Sequence, residues 1–163
     1  MTGAIAIALA LSTPAQAADG AVEVVGRVGR IVDGDTFHLG GVKIRPTGFD
    51  APEMRQKCRD AKGRDYACGE LSLEALTAII QGKVVVCTAT GKRSYDRLLA
   101  LCKVEGREIG WVMVRGGWAF VDPRFSQKNI PAQEAARAGR RGMWAGTLQF
   151  PWKWRRQNRR YKR

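Results

Sequence analysis

Four acidic residues lie close together in an otherwise basic chain. Asp33 and Asp35 belong to the segment Asp-Gly-Asp-Thr, and Asp50 and Glu53 belong to Asp-Ala-Pro-Glu. Asp-Gly and Asp-x-Pro are also common turn formers, so either segment alone is weak evidence for a site. Carboxylates held side by side repel each other unless a cation lies between them. Because no His or Cys adjoins either segment, calcium or magnesium is favoured over zinc.

The residues around these segments predict a hairpin that would bring them together. Residues 21–39 carry Val and Ile among Gly and polar residues, and residues 42–49 form a second strand-like stretch. The Gly-Gly pair at 40–41 is typical of a two-residue hairpin turn. Pro46 and Gly48 interrupt the second stretch, so it should be an edge strand, contain a bulge or end early.

The rest of the chain predicts helices and strands in alternation. Leu and Ile recur at three- and four-residue spacing over residues 69–82, which is typical of an amphipathic helix. The further predicted elements are strands at 83–91 and 97–106 joined by a loop, a helix at 108–117, a strand at 118–122 and a helix from Pro131 to Gly142.

The length of the chain favours a single domain, and its charge favours binding to nucleic acid. The chain has 163 residues, and its 28 Lys and Arg against 15 Asp and Glu give a net charge of +13, which should attract polyanions. We assign the domain to residues 18–150 and a basic tail to residues 151–163, where seven of thirteen residues are Lys or Arg. The tail could be solvated and mobile, could bind phosphate, or both. Trp152 and Trp154 within it are candidates for stacking on bases.

Residues 1–17 have the features of a secretory signal peptide. They contain no charged side chain, an apolar run over residues 3–11 and a small-x-small pattern that predicts cleavage after Ala17. A disordered or buried N-terminal segment is the alternative. The run is too short to span a bilayer, so we expect an exported protein, periplasmic or secreted, without stable membrane association.

Four cysteines support export. Their even number, without a Cys-x-x-Cys pair, favours disulfides over a zinc site, and three connectivities are possible. If the strands that carry Cys87 and Cys102 are neighbours, these two can pair, and Cys58 and Cys68 then close a short loop. Four reduced thiols in the core are the alternative.

Three motifs in the same order resemble the staphylococcal nuclease (thermonuclease-like) family. They are Asp-Gly-Asp-Thr, then Arg-x-x-x-x-Asp-x-Pro-Glu, then a Tyr-Asp-Arg loop. The likeness spans roughly Val25 to Trp144 and includes the late segment Arg-Arg-Gly-Met-Trp. It implies a mainly β (α+β) fold, a five-stranded barrel of the oligonucleotide-binding type with three α-helices.

The resemblance implies a calcium site at the acidic segments. Asp35 and Asp50 take the positions of its carboxylate ligands, and the backbone carbonyl of Ala51 takes that of a further ligand. Asp33 matches an acidic position near the metal that is not a direct ligand. Ala51 replaces the Thr often found in the family, which matters little if only the carbonyl binds.

The resemblance also implies the groups that act on the substrate. Glu53 takes the position of the general base, and Arg45 and Arg97 take those of two phosphate-contacting arginines. A guanidinium can hold two phosphate oxygens at once, which suits the charge that develops in phosphodiester hydrolysis. Tyr95, beside the second arginine, could form a wall for the substrate.

Together these features predict a monomeric, exported, calcium-dependent nuclease. The resemblance suggests that it hydrolyses DNA and RNA with little sequence specificity and leaves 3′-phosphate ends. The alternative is a non-catalytic nucleic-acid-binding module of the same barrel fold, which would use the net charge of +13 alone.

Overall fold

Five strands close into a barrel in the computed structural model, which describes residues 22–158. The strands of this range are β1 (Glu23–Asp33), β2 (Thr36–Leu39), β3 (Val42–Pro46), β4 (Cys58–Arg59), β5 (Asp65–Tyr66), β6 (Val84–Ser94), β7 (Arg97–Val104) and β8 (Arg107–Glu108). The barrel order is β3-β2-β1-β6-β7, and a parallel pairing of β3 with β7 closes it. The predicted five-stranded barrel is confirmed. The predicted signal peptide, residues 1–17, lies outside the described residues.

The barrel interior follows from apolar residues at every second position of its strands. Side chains two residues apart point to the same face of a strand, so such a pattern buries one face. The fully or almost fully buried barrel residues are Phe37, Leu39, Ile44, Val85, Cys87, Ala100, Cys102 and Val104.

Helices cover the barrel from outside. The described residues contain α1 (Cys68–Ile80), α2 (Ile109–Gly116), α3 (Ile130–Ala138), α4 (Pro151–Gln157) and a 3-10 turn at Gly142–Ala145. Three helices were predicted, and the fourth lies in the segment assigned to the tail. Leu76 and Ile80 of α1 are fully buried in the main core. Across residues 22–158, every helix falls short of the length and apolar character needed to cross a membrane.

The first predicted strand is wrong in one respect, because the chain turns within it. β1 ends at Asp33 and β2 begins at Thr36, so Gly34 and Asp35 form the turn between them. The Asp33 carboxylate accepts a hydrogen bond from the Asp35 backbone N–H at 3.0 Å, which stabilises this turn. The predicted turn at 40–41 is confirmed, and the second stretch ends early, as β3.

Two predictions for the second half of the chain are wrong. Residues 118–122 do not form a strand, since only Phe120 pairs, in an isolated bridge with Asp50. The backbone turns directly afterwards, at Asp122, whose carbonyl accepts a hydrogen bond from the Phe125 N–H at 3.0 Å. The third helix ends at Ala138 instead of residue 142, because Arg140 has a φ of +48°, which a right-handed helix cannot contain.

All four cysteines form disulfides, in the predicted pairs. Cys87 and Cys102 lie opposite each other on β6 and β7 and are joined across the strands. Cys58 of β4 is joined to Cys68, the first residue of α1. The second bridge therefore ties the loop that follows the acidic segment Asp50–Glu53 to a helix of the core.

The segment assigned to the tail is folded over residues 151–157. Pro151 is buried, and the Trp152 ring stacks on Phe150 with 4.6 Å between centroids. Both rings pack against a second buried cluster that includes Phe120 and Met143. Packing of these aromatic side chains holds α4 against the side of the barrel that carries the acidic segments.

Candidate active site

Asp35 and Asp50 meet at a single arginine. Arg45 donates one hydrogen bond to Asp35 Oδ1 through Nη1, and another to Asp50 Oδ1 through Nη2, at 2.7 Å. The two aspartates are 4% and 5% exposed, so their charges are almost entirely removed from water. Burial of like charges is unfavourable without a counter-ion, and the guanidinium supplies one between them.

Two glycines let helix α1 approach both acidic segments. A Cβ on Gly34 would lie 2.2 Å from Ser72 Oγ of the helix, and a Cβ on Gly69 would lie 2.0 Å from the Glu53 carbonyl oxygen. Both distances are far below van der Waals contact. The first and second acidic segments are therefore set against the same helix, and any larger side chain at either glycine would push them away.

Backbone hydrogen bonds fix the second acidic segment. Asp50 exchanges two bonds with Phe120, at 2.8 and 2.9 Å. The Ala51 N–H donates to Asp35 Oδ2 at 3.1 Å, which links the two segments directly. This bridge to Phe120 is what the structure has instead of the predicted strand at 118–122. It fixes the backbone of Asp50.

Burial makes Asp35 a weak acid. Desolvation raises the pKa of its carboxyl to about 7, although Arg45 opposes this, and the neighbouring charges of Asp33 and Asp50 raise it further. For Arg45, burial acts to lower the pKa, but the two aspartates it contacts outweigh burial and raise it. Near neutral pH the Asp35 carboxyl is therefore close to its pKa and is only partly ionised.

Glu53 lies at the open side of the pocket. Its side chain is 39% exposed, in contrast to the buried aspartates. Its backbone is held by Gln56, whose N–H donates to the Glu53 carbonyl at 2.7 Å and whose Oε1 accepts from the Glu53 N–H at 3.3 Å. Gln56 is fully buried and also donates to the Gln149 carbonyl at 2.6 Å. Sequence reasoning missed Gln56, because only its burial distinguishes it from a surface glutamine.

Arg97 and Tyr95 reach the pocket from the turn between β6 and β7. Arg97 Nη1 donates to Thr36 Oγ1 at 3.3 Å, and that hydroxyl donates to Asp35 Oδ1 at 3.1 Å. Ser94 accepts two further bonds from Arg97, at 3.4 and 3.2 Å, through its carbonyl and its hydroxyl. Tyr95 is 86% exposed and has a φ of +58°, so the turn presents its ring to solvent.

One open groove of about 1000 Å³ contains all the residues for which a catalytic, metal or substrate role was predicted. They are Asp35, Arg45, Asp50, Ala51, Glu53, Tyr95 and Arg97, and Asp33 lies there too. The groove brings together residues from three separate parts of the chain. Its size and open form suit a chain-like ligand more than a small enclosed one.

A third arginine in the groove was not predicted. Arg155 of α4 donates to Asp50 Oδ2 at 2.7 Å, to Asp50 Oδ1 at 3.2 Å and to Glu53 Oε1 at 2.9 Å. Burial acts against its positive charge, but these carboxylates raise the pKa of Arg155 far above its ordinary value. The basic composition of the segment was the only signal in the sequence, and it gave no indication of an acidic partner 105 positions earlier.

The pocket offers the donor chemistry of a calcium site. The carboxylates of Asp35 and Asp50 bind the same guanidinium, and carboxylate oxygens are the hard ligands that calcium and magnesium prefer. Among the described residues, no group of three or more His, Cys, Asp and Glu side chains is arranged to hold a metal ion. The predicted set has only two carboxylate side chains, with the Ala51 carbonyl as a third donor, so its donor chemistry suits a hard divalent cation.

Fold and site together define a class of protein: an oligonucleotide-binding-type barrel with a groove that combines buried carboxylates and arginines. The family model described as "Staphylococcal nuclease homologue" matches residues 43–146. The chain therefore belongs to the staphylococcal nuclease family, as the motifs predicted.

The chain is also similar to several known proteins over most of its length. The chain is 31% identical over 146 residues to the succinoglycan biosynthesis protein ExoI of Rhizobium meliloti, covering 87% of this chain and 74% of that one. It is 33% identical over 141 residues to an "uncharacterized endonuclease" of Haemophilus influenzae, covering 82% and 74%. It is 30% identical over 172 residues to protein ParB of Escherichia coli, covering 92% and 86%.

Replacing Gly69 with Ala tests how closely helix α1 must approach Glu53. Alanine in a helix is intrinsically about 1 kcal/mol more favourable than glycine, so propensity alone predicts a gain. The close contact with the Glu53 carbonyl predicts instead a loss of about 1–3 kcal/mol in the free energy of unfolding. Urea unfolding measures this difference.

The matched control is Gly29→Ala on β1, where the nearest atom to the new Cβ would lie 3.7 Å away. We expect it to change stability little. A Gly69→Ala protein as stable as the wild type would show that α1 and the second acidic segment are not tightly packed.

Asp35 should make the cation-free protein less stable as the pH rises. Its pKa is about 7 in the folded protein against an ordinary value of 3.8, so the folded state holds the proton more tightly than the unfolded chain. Stability from this group is therefore lost between about pH 4 and pH 7. Asp35→Asn has no carboxyl to ionise, so its free energy of unfolding should not show this loss. Between pH 5 and pH 8, the stability of the variant relative to the wild type should therefore rise by about 2–3 kcal/mol.

Urea unfolding of both proteins at pH 5 and pH 8, in the presence of a chelator, measures this difference. Parallel stability curves for Asp35→Asn and the wild type would contradict the raised pKa.

Proposed function

We propose that this protein is a nuclease that hydrolyses phosphodiester bonds of DNA and RNA with little sequence specificity, depends on calcium and leaves 3′-phosphate ends. One observation carries the proposal: a single groove holds a buried pair of aspartates, two arginines and an accessible glutamate. Membership of the staphylococcal nuclease family and a relative named as an endonuclease support it.

Each side chain has a task that its position suits. Asp35, Asp50 and the carbonyl of Ala51 would hold the calcium ion, whose chemistry when bound is to polarise a phosphate oxygen. Arg45 uses one N–H of each terminal nitrogen on the aspartates, which leaves further N–H groups for phosphate. Arg97, held by Ser94 and Thr36, lies on β7, the strand that pairs with the strand of Arg45.

Glu53 is the candidate base. It is the most exposed carboxylate of the three that carry the proposal, so a water molecule can reach it, and its backbone is held at two points by Gln56. Acceptance of a proton from water, as water attacks phosphorus, is the step we assign to it. General-base catalysis of this kind typically contributes about 10²–10⁴-fold.

The net charge of +13 supplies the attraction for the substrate but no sequence preference. Contacts to phosphates carry no base information, so a site built from arginines and carboxylates should cut with little regard to sequence. The exposed Tyr95 ring at the groove offers a surface for a base of any type.

A cleavage assay with paired variants separates a nuclease from a binding module. Wild-type protein should degrade plasmid DNA and single-stranded RNA with calcium and not with chelator. Glu53→Gln and Arg97→Ala should each lower the cleavage rate by about 10²–10⁴-fold while salt-sensitive DNA binding persists. Product ends should resist extension by terminal transferase until they are treated with phosphatase.

Arg30→Ala is the control for charge, since Arg30 is exposed on β1 and outside the groove lining. It should cleave at nearly the wild-type rate. Equal turnover by the wild type and both site variants would refute the assigned roles, and binding without any cleavage would favour the non-catalytic module.

We further propose that the protein is exported to the periplasm or the medium and acts there as a monomer. Two disulfides in a small domain support this, because such bonds persist in oxidising compartments. N-terminal sequencing of protein recovered outside the cytoplasm should begin at Ala18. Recovery of only full-length chain from the cytoplasm would contradict export.

A further inference from the structure

Each carboxylate that would bind calcium already accepts three hydrogen bonds from the protein itself. Asp35 accepts hydrogen bonds from Arg45 and Thr36 at Oδ1, and from the Ala51 N–H at Oδ2. Asp50 accepts from Arg45 and Arg155 at Oδ1, and from Arg155 at Oδ2. Three of the roughly four acceptor sites of the Asp50 carboxylate are therefore occupied, so a cation that binds Asp50 competes with these guanidinium groups.

Arg155 is the donor best placed to be replaced. Its side chain is 29% exposed, against 19% for that of Arg45. It comes from α4, outside the barrel, whereas Arg45 lies within barrel strand β3. Its two nitrogens span Asp50 and Glu53, so it engages one candidate metal ligand and the candidate base at the same time.

The helix can stay in place while the side chain moves. Pro151 is buried, Trp152 stacks on Phe150, and Gln149 accepts a hydrogen bond from Gln56, so the start of α4 is anchored to the domain. An arginine side chain is long and has many rotamers, so its guanidinium can leave the carboxylates without unfolding the helix.

We propose that Arg155 is a tethered counter-ion of the active site, which neutralises Asp50 and Glu53 in the cation-free protein and must be displaced by the divalent cation. The inference rests on the cation site of the proposed function. Helix α4 is then part of the site, because its Arg155 lowers the affinity for calcium. Arg155 also stays hydrogen-bonded to Glu53 until the cation binds.

Calcium titration of the nucleic-acid-free protein tests this competition. Isothermal calorimetry on residues 18–163 compares wild type with Arg155→Gln and Arg156→Gln, which lose the same charge from adjacent positions of one helix. A charge-assisted hydrogen-bonded pair is lost only at position 155, so Arg155→Gln should bind calcium at least about tenfold more tightly. Arg156→Gln, altered at an exposed side chain, should stay within about threefold of wild type.

Arg155→Lys adds a geometric control. An ammonium is a point charge that cannot span Asp50 and Glu53 as a guanidinium does, so its calcium affinity should fall between those of wild type and Arg155→Gln. Thermal unfolding checks that the variants are folded. Calcium should raise the Tm of Arg155→Gln more than that of the wild type, because the ion stabilises carboxylates that have lost their arginine partner more strongly.

The inference and the proposed function can fail separately. Tighter calcium binding by Arg155→Gln without cleavage by wild type would support the counter-ion and refute the nuclease. Cleavage by wild type with equal or weaker calcium binding by Arg155→Gln would overturn the counter-ion, and slower cleavage by that variant at saturating calcium would then assign Arg155 to the substrate phosphate. Absence of calcium binding in all variants would also overturn it.

Discussion

The structure depends on one electrostatic constraint: two aspartates, Asp35 and Asp50, are buried side by side. Ionised carboxylates in such a position cost several kcal/mol each unless cations and hydrogen-bond donors surround them. Arg45 of barrel strand β3 binds both aspartates. A hydroxyl and a backbone N–H supply the other hydrogen bonds to Asp35, and Arg155 supplies those to Asp50. The arrangement leaves the carboxylates strongly attractive to a further positive charge. A basic protein thereby gains one small region of opposite character within the groove that should draw in a polyanion.

Support for this pocket also comes from contacts that involve no charged side chain. Helix α1 touches both acidic segments at glycines, and the Cys58–Cys68 disulfide joins the start of that helix to the loop beyond Glu53. The bridge to Phe120 holds Asp50 from another side. Phe120 also lies in the second buried cluster, against which the aromatic residues before and within α4 pack. The same packing that fixes Asp50 therefore brings Arg155 to it, so the C-terminal helix belongs to the site.

Local pattern made much of this predictable. Alternating apolar residues indicate strands wherever they occur, the spacing of Leu and Ile over residues 69–82 indicates α1, and a Gly-Gly pair indicates the turn at 40–41. The errors fall where local pattern was ambiguous. Residues 118–122 have a strand-like composition but form only one β-bridge, between Phe120 and Asp50. The first predicted strand, residues 21–39, runs through the turn at Gly34, because apolar residues continue on both sides of it. The contact of Gly34 with Ser72, which requires glycine, is distant in sequence.

The sequence by itself determined the barrel, both cysteine pairs under a stated assumption about strand neighbours, and a set of acidic, basic and aromatic residues that all line one groove. The cysteine pairs follow from the predicted strands, whereas the barrel and the site residues follow from the family resemblance that three short motifs carry. Only the tertiary structure decided two contacts between distant residues. Gln56, which holds Glu53, donates a hydrogen bond to Gln149, 93 positions away, and Arg155 pairs with Asp50, 105 positions away. In the sequence, neither a glutamine nor a basic C-terminal segment indicates its partner. Their partners are chosen by packing, because which distant groups share a desolvated pocket depends on how the whole domain folds.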